Sequence, residues 1–166
     1  MNSADRESPR VSTLDLSMME RALQLADRAA SLGEVPVGAV VYRTSDATIV
    51  GEGFNRREID KDPAAHAEFA AIMGACRTLG DWRLNDCSLA VTLEPCAMCA
   101  GLIVNARVGR VLYGAEDPKA GACRSLFAIT TDARLNHRAE LVSGVMAEES
   151  ATKLRAFFRN LRAQGG

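Results

Sequence analysis

The feature that most constrains this chain is a split cluster: His66-Ala67-Glu68, then 26 residues, then Pro95-Cys96-Ala97-Met98-Cys99. Catalytic zinc sites keep three protein ligands and leave one tetrahedral position for water. His66, Cys96 and Cys99 supply such a set. The two cysteines are three apart, so on a helix they share one face and can grip one ion, and a helix amino end favours their thiolate form. Glu68 is two residues past His66, a step that points side chains apart on a regular helix. Both can reach one centre only if the first helical turn is splayed.

The surrounding pattern supplies the frame. Leu14, Met18, Ala22, Leu25, Ala29 and Leu32 recur at helical spacing, and Gly33 is a plausible stop. The β-branched runs 35–42 and 48–54 flank the polar segment 43–47, which reads as a hairpin. Asp62 before Pro63 signals a helix start, continued by an alanine-rich stretch through Leu79, so His66 and Glu68 are expected in the opening turn. Residues 88–93 (SLAVTL) read as a buried strand, after which Pro95 opens a short helix through Asn105. Strands at 110–114 and 140–145 and a helix at 148–162, acidic first and basic last, complete the order. Strands alternating with helices predict an α/β fold: a sheet covered on both faces, its first two strands antiparallel and the later ones largely parallel.

Composition narrows the function classes. At 166 residues and 48% apolar, the chain suits one compact domain. A formal net charge of −1 argues against coating nucleic acid through a uniformly basic surface, so any polyanion site is a local patch. No run of about 18 apolar residues occurs, and residues 1–10 lack the apolar stretch of a secretory signal, which leads us to expect a cytoplasmic protein with no membrane partner. Five cysteines cannot all pair within one chain, which fits a reducing compartment. Cys76 and Cys87 lie in apolar settings and read as packing.

Glu68 beside a zinc-activated water could move a proton to a ring nitrogen and on to leaving ammonia, the shuttle that hydrolytic deamination requires. Other readings stand beside this one. Cys96 and Cys99 could be a redox pair, although that use wants a thioredoxin-like context. A closed structural zinc site would need a fourth ligand from Cys87, Cys123 or His137, none at a standard spacing. Among functions, a deaminase of free bases or nucleosides and a zinc-stabilised interaction module are the alternatives to an RNA-editing enzyme.

The His-x-Glu and Pro-Cys-x-x-Cys elements resemble the zinc deaminases of nucleobases. Further segments resemble the bacterial tRNA-specific adenosine deaminases: EVPVGAVV (34–41), GEGFNR (51–56), DPAAHAE (62–68), TLEPCAMCAG (92–101) and RVGRVLYGAEDPKAGA (107–122). NHR (136–138) and FFR (157–159) join them, so that the similarity covers 14–162. The resemblance implies a three-layer αβα fold like that of cytidine deaminase, with a central mixed five-stranded sheet. It implies one Zn2+ per subunit, no organic cofactor, a homodimer, and conversion of the wobble adenosine of an arginine tRNA to inosine. It also implies that Asn55 contacts the target nucleotide and that Ala67 offers its backbone to the base. Asp117 and Lys119 would meet the tRNA anticodon stem-loop, with Phe157 and Arg159 beside the RNA. Residues 1–13 have no counterpart and are expected to be disordered, leaving 14–164 as a single deaminase domain. Segment 43–47 is longer than the resemblance leads one to expect, and Cys123-Arg124 stands where small residues are common; Arg124 would contact a phosphate or face water.

Overall fold

The structure, a computed structural model, describes residues 10–165; of the segment 1–13 expected to be disordered, residues 1–9 lie outside them, while Ser12 and Thr13 are the cap and first residue of a helix. Helix α1 (Thr13–Ser31) begins at Ser12, whose hydroxyl accepts from the Asp15 amide at 3.1 Å while the Asp15 carboxylate accepts from the Ser12 amide at 2.9 Å. This reciprocal cap satisfies two amides that the first turn leaves without partners. Gly33, at φ +80°, follows the last turn and lets the chain leave the helix.

Five strands form one sheet: β1 (Gly38–Arg43), β2 (Ile49–Phe54), β3 (Cys87–Leu93), β4 (Arg110–Ala115) and β5 (Glu140–Val142), in the order β2-β1-β3-β4-β5. β1 pairs antiparallel with both β2 and β3, and the β3-β4 and β4-β5 pairings are parallel. Alternation along the strands divides the core in two. Ala39, Val41, Leu89, Val91, Val111 and Tyr113 face one apolar layer with Ala67, Ala71, Ile72 and Ile103; Val40, Tyr42, Ala90, Leu112 and Val142 face the other with Met18, Met19, Ala22 and Leu25. A period-two strand buried on both faces requires helices on both sides. They are present: α3 (Ala67–Leu79) and α4 (Ala97–Asn105) cover the first face, α1 and α5 (Ala147–Gln164) the second. The three-layer αβα arrangement with a mixed five-stranded sheet is therefore as expected.

Two helix starts differ from expectation. α3 begins at Ala67 rather than at Pro63, and a separate turn of helix, α2 (Arg57–Asp60), precedes it. Local polar bonds outcompete the proline signal here. Asp62 Oδ1 accepts from the Ala64 amide at 2.8 Å, closing a turn around Pro63, and the Ala65 carbonyl accepts from the Arg56 amide at 3.0 Å. Likewise α4 begins after Cys96, not on Pro95.

Candidate active site

Two antiparallel steps make β2 run the same way as β3 and β4, so all three strands release the chain at one edge of the sheet. That carboxyl edge is where open α/β sheets place ligand sites. Asn55 follows β2, Glu94-Pro95-Cys96 follows β3, and Glu116-Asp117 follows β4. α3 lies across β2 because Gly51 and Gly53 have no side chains. A Cβ at Gly53 would stand 2.8 Å from Ala70 Cβ and 2.9 Å from the Ala71 amide, and one at Gly51 2.7 Å from the Ala75 amide.

His66 and Cys96 are both N-caps with extended backbones, at φ −86°, ψ 153° and φ −74°, ψ 176°. This meets the condition set by the His-x-Glu spacing. His66 stands outside the helix and Glu68 inside its first turn, so the two-residue step no longer carries their side chains apart. Cys99 lies three residues beyond the Cys96 cap, in the first turn of α4. His66 Nδ1 stands 3.6 Å from each of the sulfurs of Cys96 and Cys99, and all three atoms lie within 4.8 Å of one another.

Those distances test the metal reading. A tetrahedral ion with Zn–S near 2.3 Å and Zn–N near 2.0–2.1 Å separates sulfur from nitrogen by about 3.6 Å. The nitrogen–sulfur spacings fit zinc. No fourth His, Cys, Asp or Glu joins the group among the described residues. The candidates for sealing it are engaged elsewhere: His137 Nε2 lies 2.7 Å from the Val108 carbonyl, and Cys87 and Cys123 are buried in the core. Cys76 is only partly buried, its thiol 3.7 Å from the Trp82 carbonyl.

The three ligand groups shift one another's proton affinities. A hydrogen bond from Cys99 pulls the Cys96 thiol down to about 3 against the cost of burial, with His66 helping. Cys99 is pushed up, first by donating to Cys96 and then by its own burial. Cys96 raises the His66 pKa against desolvation, and the nearby Glu68 adds to that rise. Glu68 is 4% exposed, and its burial lifts the carboxyl to about 7 although its backbone hydrogen bond and His66 both oppose the rise. A carboxyl group near neutrality can both take and give a proton.

The cluster opens into a cavity of about 670 Å³, a volume within the range of small-ligand pockets. Asn55, Ala67, Asp117 and Lys119 all line it, beside His66, Glu68 and Cys96. Asn55 is held at both ends, donating from Nδ2 to the Val35 carbonyl at 3.3 Å and accepting from the Arg57 amide at 3.1 Å, which leaves one N–H to offer. Phe158, not Phe157, lines the cavity together with Leu154 and Arg155; Phe157 packs edge-on against Phe158 at 5.4 Å. Arg159 is exposed and outside the lining. Arg124 is exposed and does not line the cavity, and its guanidinium donates to Ser143 Oγ at 3.1 Å.

Sequence reasoning missed Arg57, Glu116, Phe158 and above all Glu94. Glu94 is 2% exposed and takes amides of Asp117, Arg124 and Ser125. Burial acts to raise its pKa, but these bonds and that of the Ser125 hydroxyl hold the carboxyl below its usual range. A carboxylate placed directly after a buried strand was the available signal.

Residues 14–162 match the family described as MafB19-like deaminase. The chain belongs to that deaminase family. It is 46% identical over 154 residues to a tRNA-specific adenosine deaminase of Haemophilus influenzae, covering 92% of this chain and 88% of that one. A Bacillus subtilis protein of the same name is 46% identical over 150 residues, covering 90% and 92%. A structure solved in studies of A-to-I editing by tRNA:A34 deaminases at the wobble position superimposes with a TM-score of 0.78 at 42% identity, covering 83% of this chain and 99% of that one. In this deaminase, no helix among the described residues is long and apolar enough to cross a membrane.

Proposed function

We propose that this deaminase converts the wobble adenosine in the anticodon loop of tRNA, that of an arginine tRNA, to inosine by hydrolysis. The observation that carries the chemistry is the three-atom set, two of whose residues, His66 and Cys96, line a cavity together with the buried Glu68 carboxylate. Similarity over nearly the whole chain to proteins named for tRNA adenosine supports the substrate. His66, Cys96 and Cys99 would hold one zinc ion, which supplies a Lewis acid able to bring the pKa of a water down towards about 7.

The chain's own residues do the rest. Glu68 takes a proton from the attacking water, passes it to the purine ring nitrogen, and delivers the second proton to the departing amine. The C–N bond at the amino carbon breaks and a C–O bond forms. The water's oxygen becomes the carbonyl oxygen on that carbon, one of its hydrogens ends on the ring nitrogen, and the other leaves with the amino group as ammonia. Asn55 offers its remaining N–H and Ala67 its backbone to orient the nucleotide. Asp117 and Lys119 meet the neighbouring loop nucleotides from the rim, while Phe157 and Arg159, flanking Phe158 on α5, face RNA that extends beyond it. An adenosine in a single-stranded loop can be splayed into such a cavity without opening a duplex.

Incubating the zinc-loaded protein with tRNA transcripts and sequencing for inosine at the wobble position tests this reading. Inosine confined to that position is the expected result; unaltered RNA together with turnover of free bases or nucleosides would replace the reading with the small-molecule alternative. A homodimer belongs to the same proposal, and sedimentation as a monomer at micromolar concentration removes it. Acting on tRNA, the enzyme would work in the cytoplasm.

A further inference from the structure

The rim that carries Asp117 and Lys119 is tied at both ends to one buried side chain. Glu94 Oε1 accepts from the amides of Arg124 and Ser125, each at 2.8 Å. Its Oε2 accepts from the Asp117 amide at 2.9 Å and from the Ser125 hydroxyl. Four donors thus converge on two oxygens, and both ends of segment 117–125 are tied to one carboxylate. The same segment is stitched to the turn after β3 that carries Cys96. The Ala122 amide donates to the Pro95 carbonyl at 2.8 Å, and Gly121 bridges Cys96. Glu94 is the residue two before Cys96, so ligand and rim are joined through three consecutive residues.

We propose that Glu94 is the positioning residue for nucleotide binding, fixing the Asp117–Lys119 rim relative to the Cys96 ligand. The proposal rests on the RNA-editing reading for its substrate. Asp117 carries the fixed geometry outward: its Oδ1 accepts from the amides of Lys119 and Ala120 at 3.0 and 3.2 Å, so the first turn of the rim follows the Asp117 backbone. Gly121 marks how closely the parts fit, because a Cβ there would overlap the Glu94 carboxylate and stand 2.6 Å from the Asp117 carbonyl.

The donor count makes Glu94→Gln a directed probe. Glutamine keeps the shape but turns one acceptor into a donor. Facing Arg124 and Ser125, its NH2 would oppose two amide donors. Facing the other side, it can be accepted by the Ser125 hydroxyl, whose proton rotates, and only the Asp117 amide loses its acceptor. The second arrangement costs less, so the substitution releases the rim at Asp117 while leaving Cys96 in place.

The test uses zinc-loaded E94Q with an anticodon stem-loop carrying the wobble adenosine. Zinc content should equal wild type and amide exchange at Asp117 should accelerate. KM should rise about tenfold, as for one lost bond to a charged group, with kcat held within about a factor of two. Wild-type exchange at Asp117 with wild-type KM, or a loss confined to kcat or to zinc, overturns the proposal. If E94Q does not fold, Gly121→Ala displaces the carboxylate from the opposite side and must give the same split between KM and kcat; an unchanged KM there also overturns it. Failure of the editing reading is separate, because wild-type protein would then leave the stem-loop unaltered whatever the exchange experiment shows.

Discussion

Glu68 lies in the first turn of α3, buried beside His66 and Cys96 in the cavity, yet it is absent from the set of atoms spaced to hold an ion. A proton carrier and a ligand need different placements, and a step of two residues past the His66 cap separates them. Glu68→Gln keeps the volume and loses the ability to take a proton. The variant should therefore bind zinc with wild-type stoichiometry while its single-turnover deamination rate falls about 10²–10⁴-fold, the range general acid–base catalysis supplies. Metal analysis and a rate measurement on the same preparation check both halves. Loss of zinc along with the rate would make Glu68 a ligand, and an unchanged rate would remove it from proton transfer.

Each helix start that presents these residues depends on what lies beneath it. α3 is set against β2 by absent side chains, so Gly53→Ala should push the Ala67–Ala71 turn away from the sheet. Overpacking of this kind costs about 1–3 kcal/mol. Because His66 is the cap of the displaced turn, zinc affinity should fall with stability, readable as a lower melting temperature of the zinc-free protein and a higher zinc Kd. Normal zinc affinity in a destabilised variant would show that the cap is held independently of the strand. Spacing alone indicated the ligands and the proton carrier, since each lies within three residues of a neighbour on a short local element. What spacing could not give was the extended conformation of the His66 and Cys96 caps, which proline signals at Pro63 and Pro95 placed inside the helices. Nor could it give Glu94 or Arg57: their roles depend on segments far along the chain that meet only when the strands end at one edge. Phe158 rather than Phe157 lines the cavity because the rotation of α5 about its axis is fixed by packing on the sheet, and neighbouring aromatics look alike in sequence.

The molecule as a whole is clasped at the edge opposite the cavity by a buried charge cluster. Asp15 of α1, 4% exposed, accepts from Tyr42 of β1 at 2.8 Å and from Arg110 of β4 at 2.6 Å. Helix and sheet are thereby tied across sequence separations of 27 and 95 residues. Burial alone would raise the Asp15 pKa, but the bond from Arg110, with those of Ser12 and Tyr42, outweighs it and draws the carboxyl down from 3.8 to about 2. A depressed folded pKa means the unfolded chain binds the proton more readily. The stabilisation is then fully present above about pH 4 and is lost as pH falls towards about 2. A shift of this size corresponds to about 2 kcal/mol. Urea unfolding followed from pH 6 to pH 2 should show that loss in the wild type, while Asp15→Asn should be weaker at pH 6 and flatter across the acid range. The substitution also leaves the Arg110 guanidinium, 13% exposed, without its closest counter-charge, so the cost at pH 6 should exceed the pH-dependent part. Equal pH slopes in the two proteins would mean that other carboxylates carry the acid sensitivity and that this clasp is held by shape rather than by charge.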